Sequence, residues 1–265
     1  MNSSDSKKAT RQYGNLDPSS YRNTEKKRNA RRRPSDRDPE IIRLNNWLQL
    51  VFFPAVFLYL ELVLHIAAEG MPRGTFFVYA VLFGFSAGFA VSVAGSLTGS
   101  EKVNYAVSLS ILGLSTLCFI LQLIYFKFSK TYLSWGAPWT GEAASLFRRS
   151  AVPLIFKNFI PVLLFTLPFI LYAVFGRKTF KVYPMRWSLR IGGIAAAALL
   201  FLFGTLFVNA HSGYKEDAYY YKEQFDITEA VSRFGAITAV RLDTKYSVFG
   251  GAGYDGTAEG PGSGS

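Results

Sequence analysis

The sequence predicts an all-α, polytopic membrane protein with five transmembrane helices, a disordered basic N-tail and an extracellular linker helix. Three observations carry that prediction. Half of the residues are hydrophobic and 16% are aromatic, yet the formal net charge is +11. Those figures are compatible only if charge and apolar surface are segregated along the chain, and they are. Lys and Arg crowd into a few short segments and nearly vanish from five apolar runs, each about 18 residues or longer and so long enough to cross a hydrocarbon core of about 30 Å. Finally, the flanks of those runs account for the basic balance, which leaves no call for a nucleic-acid partner. An ordinary soluble globular domain is excluded.

Residues 1–43 are polar, with twelve Lys/Arg against six Asp/Glu and the cluster "KKRNARRRPSDR". Such a composition cannot bury a core, so disorder is expected, as a cytoplasmic tail that touches anionic lipid. No short apolar segment with a small-residue cleavage site follows, so a cleavable signal peptide is not expected. The five-helix domain spans residues 44–210. Its first run, 44–68, has Trp47 at its start and Pro54 inside, where the ring should kink the helix unless neighbours satisfy the freed carbonyl. Glu61 and His65 follow at i, i+4 and share one helix face. Polar groups at such depth face protein or water, so this pair is read either as a structural contact with another helix or as a contact to a lipid headgroup.

The second run, 75–97, carries Gly84, Gly88, Ser92 and Gly95, small residues at a spacing that lets helices approach closely, read first as packing within one bundle and otherwise as homodimerisation. The third, 105–126, holds the sole cysteine, Cys118. It excludes disulfides within the chain and packs as a small hydrophobe. A polar segment with Lys130, Trp135, Trp139, Arg148 and Arg149 leads to the fourth run, 154–175, with Lys157 near its start and Pro161 and Pro168 seven apart. The loop "GRKTFKVYPMRWSLR" carries five basic residues and no acid, and the fifth run, 191–210, ends the domain.

Basic groups in short loops stay in the cytoplasm. With five spans, the N-tail and the loop before the fifth run share that side, which puts the N-terminus inside and the C-terminus outside. The loop holding Lys130, Arg148 and Arg149 then lies outside against the rule. Either an amphipathic piece rests on the outer surface there, or basic groups are wanted on that face. Residues 211–250 form the extracellular linker region. Asp226 and Glu229 have capping-box spacing, and Val231, Phe234, Ile237 and Val240 recur with helical period, so one helix is expected. Residues 251–265 are Gly/Ser-rich and expected to be disordered.

No catalytic constellation is complete. The two histidines lie far apart in sequence, and neither a phosphate-binding glycine loop nor a nucleophile elbow is present. Glu61, His65 and Lys157 form a candidate intramembrane polar cluster, with too few ligands for a metal. That cluster and the proline-broken fourth run motivate one reading as a small transporter or flippase-like protein. Another reading is a non-catalytic membrane partner of an envelope enzyme.

The order of features resembles the membrane portion of the lipoteichoic acid synthase family, sulfatase-like phosphoglycerol transferases of bacterial envelopes. The resemblance rests on "FLYLELVLHI", "LQLIYFKFSKTYLS", "FKNFIPVLLFTLPFILY" and "FDITEAVSRFGAITAVRLDTKYSVFG", in that order, and covers nearly the whole chain after residue 43. It implies a bacterial cell-membrane location and an extracellular sulfatase-like domain, with Mn²⁺ and a threonine nucleophile, following about where this chain stops. No cofactor and no catalytic residue is then expected within these 265 residues, and the chain alone is expected to be inactive. Expected partners are membrane lipids, phosphatidylglycerol or the polymer's glycolipid anchor, and an envelope protein. Lys130, Trp135, Trp139, Arg148 and Arg149 are the candidate headgroup contacts, because a guanidinium fork matches phosphate and Trp favours headgroup depth.

Overall fold

The computed structural model describes residues 39–72, 74–135, 141–179, 185–211, 216–222 and 225–249. The two tails expected to be disordered lie outside these, apart from the residues that open the first helix. The chain divides into two units, Met1–Leu44 and Asn45–Ser265; in the first, the described residues 39–44 are helical. Among the described residues there is no strand. The helices are α1 (Pro39–Ala68), α2 (Phe76–Ala94), α3 (Glu101–Ser129), α4 (Gly141–Lys157), α5 (Phe159–Thr179), α6 (Trp187–Ala210), α7 (Asp217–Lys222), α8 (Ile227–Phe234) and α9 (Ala236–Phe249).

Five of them are long and apolar enough to cross a membrane, over Asn45–Ala68, Phe76–Ala94, Glu101–Ser129, Phe159–Gly176 and Trp187–Ala210. The fold is therefore that of a multi-pass membrane protein. The shortest has 18 residues, at the lower end of the range of about 17–25 residues that crosses a hydrocarbon core. We call the end where α1 finishes distal, and the opposite end proximal.

Two prolines lie well inside spans, and each frees a carbonyl four residues earlier. Both carbonyls are recaptured by a hydroxyl from a neighbouring helix. Pro54 frees Leu50 O, to which Ser92 Oγ donates at 2.9 Å, and Pro168 frees Leu164 O, to which the Tyr59 hydroxyl donates at 2.9 Å. In lipid no water could take these places. Each proline thus ties two helices together.

Of the small residues of the second run, Gly88 and Gly95 serve packing within the chain. A Cβ at Gly88 would overlap the Pro54 backbone, and one at Gly95, which caps α2, would lie 2.7 Å from Ser108 Oγ. α2 also packs along α6, with Ser86 Oγ donating to Ala197 O at 2.7 Å and Phe83 lying on Gly204. α3 packs on α5 through stacked Tyr105 and Tyr172 and through Phe119 and Phe165. α5 turns Ile160, Leu163, Leu167, Ile170 and Val174 outward, a surface suited to acyl chains.

Three expectations need correction. The fourth span begins at Phe159 rather than at residue 154, because α4 closes at Lys157 and Asn158 interrupts the helix. The segment before it is largely α4 rather than loop. The single linker helix is instead three, α7 to α9, and the break between α8 and α9 is Gly235, whose φ of 86° a residue with a Cβ rarely adopts.

Candidate functional site

The distal end of the bundle is a seat for α7 to α9, built on four carboxylates. Glu61, about two turns before the end of the α1 span and 2% exposed, accepts from Ala236 N and Ile237 N, each at 2.7 Å. These are the opening amides of α9, which have no partner within their own helix. A carboxylate there also meets the positive end of the helix dipole. Gly235 makes the approach possible, since a Cβ on it would lie 2.8 Å from Glu61 Oε2.

Just past the end of α1, Glu69 Oε1 accepts from the Tyr132 hydroxyl at 2.9 Å and from Ser232 Oγ at 2.6 Å. It joins the end of α1 to the segment after α3 and to α8. Burial, together with the Glu69 and Glu61 carboxylates, pushes the Tyr132 phenol well above the ordinary tyrosine value. Asp217, buried at the start of α7, accepts from the Tyr79 hydroxyl at 2.8 Å and Thr75 Oγ1 at 3.3 Å, both of the second span's opening turns, and from Arg233 Nη1 at 3.0 Å. Burial opposes the charge on Arg233, but bonds to Glu229 and Asp217 outweigh it and raise its pKa. Asp243 of α9, 1% exposed, accepts from Trp135 N at 2.7 Å and Ser134 Oγ at 3.3 Å, while Trp135 Nε1 donates to Thr244 Oγ1 at 2.9 Å. Aromatic rings fill the space between, Phe234 standing edge-on to both Tyr79 and Tyr221.

The expected capping box is half formed. Asp226 accepts from Thr228 N at 2.7 Å and Glu229 N at 3.0 Å, but Glu229 turns to Arg233.

The proposed trio of Glu61, His65 and Lys157 is not a cluster. Glu61 is bound to α9; His65 is buried and stacked on Phe76 with ring centroids 3.9 Å apart; Lys157 is exposed at the end of α4. No hydrogen bond or ion pair joins Lys157 to the other two among the described residues. Of the headgroup candidates, Lys130 caps α3 in the left-handed conformation, its N–H donating to Phe126 O at 2.9 Å. Trp135 is tied to α9, Trp139 lies outside the described residues, and Arg148 and Arg149 stand exposed on α4. Among the described residues, no bond joins Lys130, Trp135, Arg148 and Arg149 to one another.

Sequence reasoning missed Glu69, Tyr132, Asp217, Gly235 and Asp243. The signal for them was faint: acids placed just after a span or between aromatic residues, and a glycine interrupting a helical period. Among the described residues, no group of three or more His, Cys, Asp or Glu could hold a metal ion. Each of the four acids described is engaged by hydroxyls, amides or a guanidinium, an arrangement that holds helices in place rather than poising a base or nucleophile. Comparison with family models, curated proteins and solved structures finds no match to this chain.

Proposed function

We propose that this chain is the membrane-anchoring portion of a lipoteichoic-acid-synthase-like phosphoglycerol transferase. It positions an extracellular sulfatase-like domain, and its lipid substrate, at the outer leaflet. One observation supports this reading best: Glu61, deep in the first span, holds the opening amides of α9. A flexible leash needs no such contact. A rigid seat on the last described helix sets the height and direction of whatever the chain bears beyond it, and raises its local concentration at the membrane. The exposed Arg148 and Arg149 on α4, at the same end as that seat, suit an anionic phosphate. The transporter reading keeps the proline-broken fourth run but not its polar cluster, since Glu61 is occupied by backbone amides and no bond joins it to Lys157 among the described residues.

The test is the size of the native product, read on an immunoblot with an N-terminal epitope tag placed at the chromosomal locus. A band far above 29.5 kDa supports the anchor reading. A band at that mass overturns it.

A further inference from the structure

The proximal end of the bundle holds a second polar group of a different character. Asn46 is 1% exposed, and neither Nδ2 nor Oδ1 has a hydrogen-bond partner. Gln49, half-buried and three residues on along the same face of α1, is likewise unpartnered at Nε2 and Oε1, and so is the buried Nε of Arg190. Buried polar atoms of native proteins are nearly always hydrogen-bonded, so five such atoms call for an explanation.

They belong together. A Cβ on Gly193 would lie 3.0 Å from Leu50 Cδ1 and 2.8 Å from Val93 Cγ2, which fixes where α1, α2 and α6 meet. Asn46 lies one turn before Leu50, and Arg190 one turn before Gly193. α1 and α6 run the same way, so both side chains fall just proximal to that meeting point. Arg190 reaches across to the turn that follows α2, where Nη2 donates to Ser96 O at 3.0 Å. It has no acidic partner among the described residues. No side chain caps the start of α6, whose positive dipole end opens on the same side.

A guanidinium with no acidic partner among the described residues, and two amide groups with unused donors and acceptors on the adjoining helix, form a recognition set for an anionic oxygen group. Arginine in particular matches phosphate in a bidentate manner. We propose that Asn46, Gln49 and Arg190 form a binding site for a phosphate group at the proximal face, carried either by an anionic phospholipid or by free phosphate. The site lies at the opposite end of the bundle from α4 and α7–α9, and so is independent of the anchor reading.

The test uses the purified full chain in phosphatidylcholine nanodiscs. Thermal unfolding is followed with and without added phosphatidic acid, and separately with inorganic phosphate, and native mass spectrometry records adducts. A raised midpoint with phosphatidic acid alone assigns the phosphate to a lipid; a raised midpoint with inorganic phosphate assigns it to the free ion. In either case Arg190→Gln should weaken binding about tenfold or more, Gln49→Leu should weaken it less, and Arg190→Lys should restore part of it. No shift and no adduct with either probe overturns the site, as does an equal shift in wild type and in both Arg190→Gln and Gln49→Leu. The wild-type comparison stands even if a variant fails to fold.

Discussion

Glu61 and Ala236 lie 175 residues apart in sequence, yet the Ala236 amide donates to the Glu61 carboxylate at 2.7 Å inside the bundle. This bond, with its companion from Ile237, closes the molecule by pinning the last described helix to the first span. Replacing Glu61 by Leu leaves two buried amides without an acceptor, each costing about 1–3 kcal/mol. Glu61→Leu should lower the thermal midpoint and accelerate amide exchange over residues 236–239, while Glu61→Gln, which keeps one acceptor oxygen, should do so less. Unaltered exchange in Glu61→Leu would mean that α9 is held by its apolar face alone.

Gly235 tests the same seat from the other side. Its φ of 86° and the close Glu61 carboxylate both oppose a side chain, so Gly235→Ala combines backbone strain of about 1–3 kcal/mol with a displaced cap. Limited proteolysis should cut Gly235→Ala between α8 and α9 faster than wild type. Equal cleavage rates would remove the steric argument.

The proline-freed carbonyls predict a matched pair. Ser92→Ala and Tyr59→Phe each delete only the hydroxyl that recaptures Leu50 O or Leu164 O. Polar contacts between spans are worth about 0.6 kcal/mol on average and up to about 1.7, and an orphaned carbonyl should fall in the upper part of that range. Unfolding titrations in mixed micelles measure it. Restoring the regular helix in Ser92→Ala with Pro54→Ala should recover the loss; failure to recover would refute the role given to Ser92.

Two glycines on one helix should behave oppositely. Gly88 is packed against the Pro54 backbone, whereas a Cβ on Gly84 meets nothing within 4 Å. Gly88→Ala forces α1 and α2 apart, an overpacking cost of about 1–3 kcal/mol, while Gly84→Ala should be neutral or slightly stabilising. Similar losses at both positions, measured by the thermal midpoint, would contradict the placement of the helix contact.

Tyr132 gives a pH dependence of definite sign. Its ionisation is held above the ordinary tyrosine value of about 10, first by burial and then by the Glu69 carboxylate. The folded state favours the protonated phenol, so its contribution is fully present below about pH 10 and is lost as the pH rises beyond it. Ultraviolet titration to pH 11 should ionise exposed tyrosines and leave one fewer silent residue in Tyr132→Phe. An unchanged number of silent tyrosines would place Tyr132 among the exposed ones.

Which stretches span the membrane was legible in the sequence, because crossing lipid demands a long uncharged run and local composition reports it directly. Pro54 and the small residues of the second span also announced, respectively, a carbonyl to recapture and a close approach. Where those needs were met was not legible. That Leu50 O would find Ser92, and Leu164 O would find Tyr59, depends on which helices lie side by side. Glu61 could be read only as a polar group seeking a partner. Its partner is the backbone of Ala236 and Ile237, which has no residue signature, made accessible by a glycine whose positive φ no pattern revealed. The apolar periodicity ran on across Gly235, so a continuous helix was the natural reading until the carboxylate offered a second N-terminus its cap. The grouping of Glu61, His65 and Lys157 failed for the same reason. Composition places charges at a depth in the membrane, but only the packing of helices around one another decides which of them meet.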